Sequence, residues 1–287
     1  MRWSRLAAVL MSWAFVSTTG WAADKPHELT FQLYRGYVIV VRGSIDGIKN
    51  LNFIVDTGAA PSVLDKRLAD KLHLLGGPAR LSVFNKWVES RRVVARNVQL
   101  GPVQATELPV VIQDLSFADN ALGTRVDAMI GLDLLGQTPF TIDYQLRIIS
   151  FGPINRAFAT IPYRRGLPYA VVDLDIHGVR LGILVDTGAN DLVLFESGLK
   201  NCRSSIKKTH AVTWSNMGGE MGVNEAQLTN AHLAALEWGQ RVAYVLQDRG
   251  EQPIGFAGLL GTIALRARRV AFDPDRGVVA WGPTNEP

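Results

Sequence analysis

Asp56 and Asp186 are the residues best placed to do chemistry. Asp56 follows Phe53-Ile54-Val55 and opens Asp56-Thr57-Gly58-Ala59, and Asp186 follows Ile183-Leu184-Val185 and opens Asp186-Thr187-Gly188-Ala189. Three apolar residues predict a buried strand leading into each aspartate. Gly58 and Gly188 then permit a tight turn with close backbone approach. A carboxylate presented there loses hydration, which raises its pKa. Two such carboxylates about 3 Å apart cannot both ionise, so they share a proton. A water held between them gives its proton to one while the other protonates a substrate carbonyl. That is general acid–base hydrolysis with no metal and no covalent intermediate. The titration belongs to the pair rather than to either residue. Thr57 and Thr187 can hydrogen-bond across to the opposite loop and keep both carboxylates in plane.

Such a pair must be positioned by matched elements, and the chain repeats itself. Asp56 and Asp186 are 130 residues apart. The same offset of 130 relates Gly131 in Met129–Leu135 to Gly261 in Leu259–Leu265, Asp143 to Asp273, and Gly152 to Gly282. One offset across four features predicts two homologous halves. Short runs of β-branched and aromatic residues bounded by Gly, Pro, Asn or Asp predict strands at Leu29–Tyr34, Tyr37–Val41, Asn52–Asp56, Arg80–Phe84, Val88–Val94 and Val110–Gln113. The second half repeats them at Tyr169–Asp175, Gly182–Asp186 and Val242–Leu246, and hairpins close the halves at Ile142–Phe151 and around Asp273–Trp281. Short helices are expected at Ser62–Leu72, capped by Ser62, and at Thr229–Leu236. The expected fold is all-β and bilobal, with lobes at residues 23–153 and 169–287 and a linker at 154–168.

Residues 1–22 read as a secretory signal: Arg2 and Arg5, an apolar stretch too short to span a bilayer, then Gly20-Trp21-Ala22 for cleavage after Ala22. An uncleaved anchor is the alternative. Cys202 is the single cysteine, so no internal disulfide is possible, and the chain has no Asn-x-Ser/Thr site. An exported chain with neither feature fits a bacterial periplasm, or secretion, with no stable membrane insertion after signal cleavage. The net charge of +4, from 30 basic and 26 acidic residues, is dispersed in short clusters, so a nucleic-acid partner is not expected. His27, His73, His177, His210 and His232 are scattered without metal-ligand spacing, so no metal and no cofactor is expected. No Gly-x-Ser-x-Gly elbow or phosphate loop is present.

With these motifs in view, the chain resembles the aspartic proteases, the retropepsins and pepsins. Ala after Asp-Thr-Gly, and the Met129-Ile130-Gly131-Leu132-Asp133-Leu134-Leu135 stretch, are similar to the retropepsin-like branch. Retropepsins are homodimers, whereas both halves here lie in one chain. The resemblance therefore implies a fused, single-chain protease with two retropepsin-like β-barrel lobes related by a pseudo-two-fold axis, working as a monomer. It implies catalysis by Asp56 and Asp186, supported by Thr57, Gly58, Thr187 and Gly188, on a peptide or protein substrate. It also implies flaps at Phe84–Glu89, with Trp87 as a lid, and at Trp214–Gly222, with Met217 and Gly218 at a mobile tip. Ala189-Asn190-Asp191 matches the retropepsin pattern that grips substrate backbone, while Ala59-Ala60-Pro61 departs from it, so gripping is expected to be asymmetric. Ile130, Leu260, Trp87 and Met217 suggest apolar side chains flanking the cut bond.

Pepsins place a hydroxyl after Asp-Thr-Gly, and it favours the ionised carboxylate. Ala59 and Ala189 cannot donate, so the optimum is expected in mild acid, about pH 4–6. Few residues separate Ala22 from Leu29, so no removable pro-segment is expected. Asp133 is expected to make a structural hydrogen bond, Asp143 and Asp273 to anchor hairpin turns, and Leu115–Val126 to be a loop that could edge the cleft. Cys202 is expected to be an incidental loop cysteine. The rival reading is a non-catalytic peptide-binding protein on the same fold, but both Asp-Thr-Gly copies are intact.

Overall fold

The computed structural model describes residues 27–83, 86–155, 158–202, 206–216, 219–233, 236–247 and 255–282. The expected signal at 1–22 and the flap residues Phe84, Asn85, Met217 and Gly218 lie outside them. The described chain is built on three sheets.

The first sheet has eight strands in the order Gln32–Tyr34, Val38–Ile45, Ile48–Val55, Ala128–Ile130, Val63–Asp65, Val103–Gln113, Lys86–Leu100 and Gly77–Val83. The second has seven, in the order Val171–Ile176, Val179–Asp186, Gly258–Gly261, Leu192–Phe195, Leu236–Leu246, Gly219–Leu233 and Ile206–Asn216. The second order reproduces the last seven strands of the first. Each sheet also closes back on itself, through Ser44 opposite Gln99 in the first and Leu174 opposite Leu233 in the second. Even the tight turns correspond. Asp46-Gly47 and His177-Gly178 form two-residue hairpin loops with positive φ at both positions (47° and 80°; 53° and 80°), which matches the right-handed strand twist.

The third sheet lies between the lobes. Its order is His27–Thr30, Ile148–Phe151, Phe140–Asp143, Arg269–Asp273, Val278–Trp281 and Ala159–Pro162. The central strands come from opposite halves, with Phe140 facing Phe272, Thr141 facing Ala271 and Ile142 facing Val270. Shifting the second members back by 130 gives residues 142, 141 and 140. The register therefore maps onto itself, as an isologous two-fold contact does, and the pseudo-axis passes between Thr141 and Ala271. Phe140 and Phe272 stack there at 5.1 Å, inside a buried apolar core that draws on both halves. The described chain is thus all-β, with two matched lobes joined by a shared sheet.

Several local expectations need correction. Ser62 does not cap a helix: Val63–Asp65 is a buried strand, and the helix is Lys66–Lys71, capped by Asp65 through the Arg67 amide. The Ser62 side chain is turned inward instead, and Val63-Leu64 is wholly apolar between two neighbouring strands, which favours pairing over coiling. Thr229–Leu233 is strand rather than helix. Register shifts between Leu228 and His232 break the alternation that identifies a strand in sequence. The 154–168 linker contains the strand Ala159–Pro162, paired to Val278–Trp281, so the connection is part of the shared sheet. Leu115–Val126 is not a plain loop, because Ser116–Leu122 is helical and ends on Gly123 at φ 67°. Residues 29–34 divide at Phe31 between two sheets. Asp143 accepts from the Gln145 and Leu146 amides and Asp273 from the Arg276 amide, as expected of turn anchors. Among the described residues no helix is long and apolar enough to cross a membrane.

Candidate active site

Each aspartate stands at the end of a buried strand. Phe53 and Val55, and Ile183 and Val185, are almost fully inaccessible. Val55 pairs in parallel with Ile130, and Val185 with Leu260. The chain must turn where these strands stop, and the turn is fixed by its own carboxylate: the Gly58 amide donates to Asp56 Oδ1 at 2.9 Å and the Gly188 amide to Asp186 Oδ1 at 2.8 Å.

Thr57 and Thr187 join the two loops reciprocally. The Thr57 amide donates to Thr187 Oγ1 at 3.0 Å, and the Thr187 amide to Thr57 Oγ1 at 3.1 Å. Thr57 Oγ1 donates to the Val185 carbonyl at 2.8 Å, and Thr187 Oγ1 to the Val55 carbonyl at 2.9 Å. Both threonines are fully buried, so none of these groups has water as an alternative partner. The network forces each carboxylate against the opposite loop. A Cβ on Gly58 would lie 2.7–2.8 Å from the Asp186 carboxyl atoms, and one on Gly188 2.8–2.9 Å from those of Asp56. Only glycine allows this approach.

The two carboxylates hydrogen-bond to one another. Burial raises the pKa of Asp56, while the hydrogen bond it accepts from Asp186 works in the opposite sense. Burial raises that of Asp186 much further, helped by the negative charge of Asp56 and by the proton Asp186 donates to it. Asp186 is only 9% exposed and Asp56 somewhat more open. Both shifts run toward the protonated form, and the titration belongs to the pair rather than to either residue.

Supporting residues differ between the lobes. Asp133 accepts from the Ser62 amide at 2.7 Å and from the Ser62 hydroxyl, which itself accepts from the Gly131 amide at 2.9 Å. This is the structural hydrogen bond expected of Asp133. Gly131 has no room for a side chain, since a Cβ there would lie 1.9 Å from the Ala59 carbonyl oxygen. In the second lobe the Ser62 and Asp133 positions are Leu192 and Ile263, which cannot make this side-chain bond, and backbone bonds support the loop there. There the amides of Gly261, Thr262 and Ala264 donate to the carbonyls of Asp191, Ala189 and Asn190.

Residues 41–134 match the family model described as aspartyl protease. The match runs from within the strand Val38–Ile45 to the helix Leu132–Leu135, covers the Asp56 loop but not the Asp186 loop, and supports an aspartyl protease family. A comparison with curated proteins found no match.

The remaining residues expected at an aspartyl protease site are placed unequally. Ala59 and Ala189 follow their glycines on the two loops, with amides directed to the carbonyls of Asp56 and Asp186. Asn190 and Asp191 continue the second loop, and burial raises the pKa of Asp191 while the Asn190 side chain partly relieves it. Trp87 opens the strand Lys86–Leu100, half-buried opposite Ser82, with the Arg80 guanidinium 5.2 Å from its ring centroid. Its contact is thus to its own hairpin. Cys202 is buried, which raises its pKa and suits an inert thiol.

Sequence reasoning missed Ser62 as the partner of Asp133, and it missed two tyrosines. Tyr37 of the first lobe feels the charges of Asp191 and Asp186, and Tyr169 of the second feels Asp56. Tyr37 directly precedes the strand Val38–Ile45 and Tyr169 stands two residues before Val171–Ile176, positions the sequence does display.

Proposed function

We propose that the chain is a single-chain tandem aspartic endopeptidase that uses Asp56 and Asp186 as one acid–base pair. The observation that carries this reading is the reciprocal Thr57–Thr187 network, which holds two desolvated carboxylates in hydrogen-bond contact. A water between them loses a proton to ionised Asp56 as its oxygen attacks the peptide carbonyl carbon. Protonated Asp186 gives its proton to the carbonyl oxygen, forming a neutral gem-diol. Proton return from Asp56 to the amide nitrogen and from the diol to Asp186 breaks the C–N bond and restores the starting pair. Asn190, Asp191 and Trp87 are proposed to contact the substrate, with Met217 and Gly218 on the second flap. Export to a periplasm or beyond is proposed from residues 1–22.

The pH dependence follows from the loops. Their amides already donate to Asp56 and Asp186, but Ala59 and Ala189 add no hydroxyl, so burial is less offset and the working range lies in mild acid. The test is cleavage of an unfolded protein substrate from about pH 3 to pH 8, comparing wild type with Asp56→Asn and Asp186→Asn. Wild-type cleavage centred in mild acid and lost in both variants is expected. Equal residual cleavage in either variant would remove the shared-proton mechanism. No cleavage by wild type with retained peptide binding would favour the peptide-binding alternative.

A further inference from the structure

The loops carrying Asp56 and Asp186 are held from different directions. In the second lobe the Asn190 carbonyl accepts from the Ala264 amide at 3.0 Å, which ties that loop to its own helix, Thr262–Leu265. The offset of 130 puts Ala60 and Leu134 at the equivalent places, and there the bond is not made. The Leu134 amide turns to the Gly131 carbonyl at 3.3 Å. The Ala60 carbonyl accepts instead from the Tyr169 hydroxyl at 3.1 Å. Tyr169 belongs to the other lobe, two residues before the strand Val171–Ile176.

The tyrosine is itself well fixed. Its ring meets Phe256 edge-on at 5.6 Å, and the strand it leads into is buried at Val171 and Val172. Beside it lies a cavity of about 210 Å³ between Leu132 and Asp133 of the first lobe and Phe272 of the second, so the contact is not backed by continuous packing. Burial and the charge of Asp56 raise the pKa of the hydroxyl, which therefore stays protonated, and a donor, at any working pH.

We propose that Tyr169 is a positioning residue that sets the first lobe's aspartate loop from the second lobe, so that Asp56 reaches its working place only when the lobes are closed on one another. This rests on the reading of Asp56 and Asp186 as the reacting pair. The Ala59 amide donates to the Asp56 carbonyl, so the segment from Asp56 to Ala60 moves as one turn. Without the Tyr169 hydroxyl the Ala60 carbonyl has only water to turn to. The turn then lifts outward, water reaches the carboxylates, and their separation relaxes.

The experiment is Tyr169→Phe in the full chain, which keeps the ring and removes one oxygen. With a peptide substrate, kcat falls roughly ten- to a hundredfold, as for a misplaced reacting group, while KM changes by less than about twofold. The alkaline limb of the pH profile moves to lower pH, because a more hydrated pair ionises more easily. Tyr169→Gln, which keeps a donor, recovers part of kcat. Hydrogen exchange, read in an Asp186→Asn background that needs no activity, shows faster exchange at residues 57–62 and none of this at 187–192. Unchanged kcat, pH limb and loop exchange in Tyr169→Phe would overturn the proposal, and so would a rise in KM alone or equal loosening of both loops. If wild type cleaves no peptide, the functional reading fails, whereas the exchange measurement still decides the tether.

Discussion

The two aspartate loops share one half of their structure and differ in the other. Facing the pseudo-axis they are rotational copies, with each threonine amide, hydroxyl and strand carbonyl finding the same partner in the opposite loop. Facing away from it they have little in common. The first loop rests on buried Ser62 and its partner Asp133 and on a hydroxyl from the other lobe, while the second rests on the amides of its own short helix. The difference separates two demands. Sharing a proton requires equivalent placement of both carboxylates, and reciprocal hydrogen bonds enforce that directly. Supporting a loop from behind requires only that its polar groups be satisfied, and many side-chain sets can do that.

The largest expected effect tests the shared side. Thr57→Val strands the Thr187 amide and the Val185 carbonyl, and Thr187→Val strands the Thr57 amide and the Val55 carbonyl. Two unsatisfied groups at about 1–3 kcal/mol apiece should lower stability by about 2–6 kcal/mol in urea unfolding. The two variants should match, and a clear inequality would break the comparison at its centre. A smaller effect tests the divergent side. Ser62→Ala leaves the Gly131 amide and one Asp133 oxygen without their partner and should cost about 1–3 kcal/mol. The reverse graft, Leu192→Ser, faces Ile263 and should bring no gain in stability; a gain would mean that the second lobe lacks a support it could use.

Smaller still is the effect of the strained pair on stability. The pKa of Asp186 is raised in the folded protein, so its contribution is fully present below the unfolded value of about 3.9 and is lost as pH rises through the folded value. Asp186→Asn removes that penalty. Its melting temperature should exceed wild type at neutral pH, by about 2–4 °C per kcal/mol recovered, and the gap should close near pH 4. A gap that widens in acid would reverse the sign of the shift.

The smallest effect concerns an ion pair between the halves. Burial works against the Asp143 carboxylate, yet the Leu146 amide, Arg269 and the Gln145 amide outweigh it and hold its pKa below the usual range. Arg269 is 39% exposed, so solvent discounts the pair, and Arg269→Gln should cost only about 0.5–1 kcal/mol. A lowered pKa stabilises above the unfolded value, so this cost should appear at neutral pH and fade as pH falls. No copy of the pair exists, because the residue 130 before Arg269 is Pro139.

The meeting of the two loops was legible because it depends on short, local patterns. Two strand-turn motifs at a fixed offset imply an axis, and an axis implies that two carboxylates meet. The all-β character was legible from the same periodicity. The failures share a cause. Ser62 reads as a helix cap because caps are local, whereas its partner Asp133 lies 71 residues away. The segment 229–233 looked helical because register shifts remove the period of two. Tyr169 could not be paired with Ala60 because a linker of unknown path lies between them, and that linker supplies a strand rather than a loose tether.

The sheet between the lobes bears on how such a protein would behave when scarce. Phe140–Asp143 and Arg269–Asp273 pair in the middle of six strands, and the connecting segment is woven into the same sheet. Two separate subunits meet at a rate set by their concentration and part on dilution. Halves joined in this way face each other at a fixed, high effective concentration. The pairing of the two halves in a protein so built does not decline as it is diluted, and a substitution in one half is never duplicated in the other.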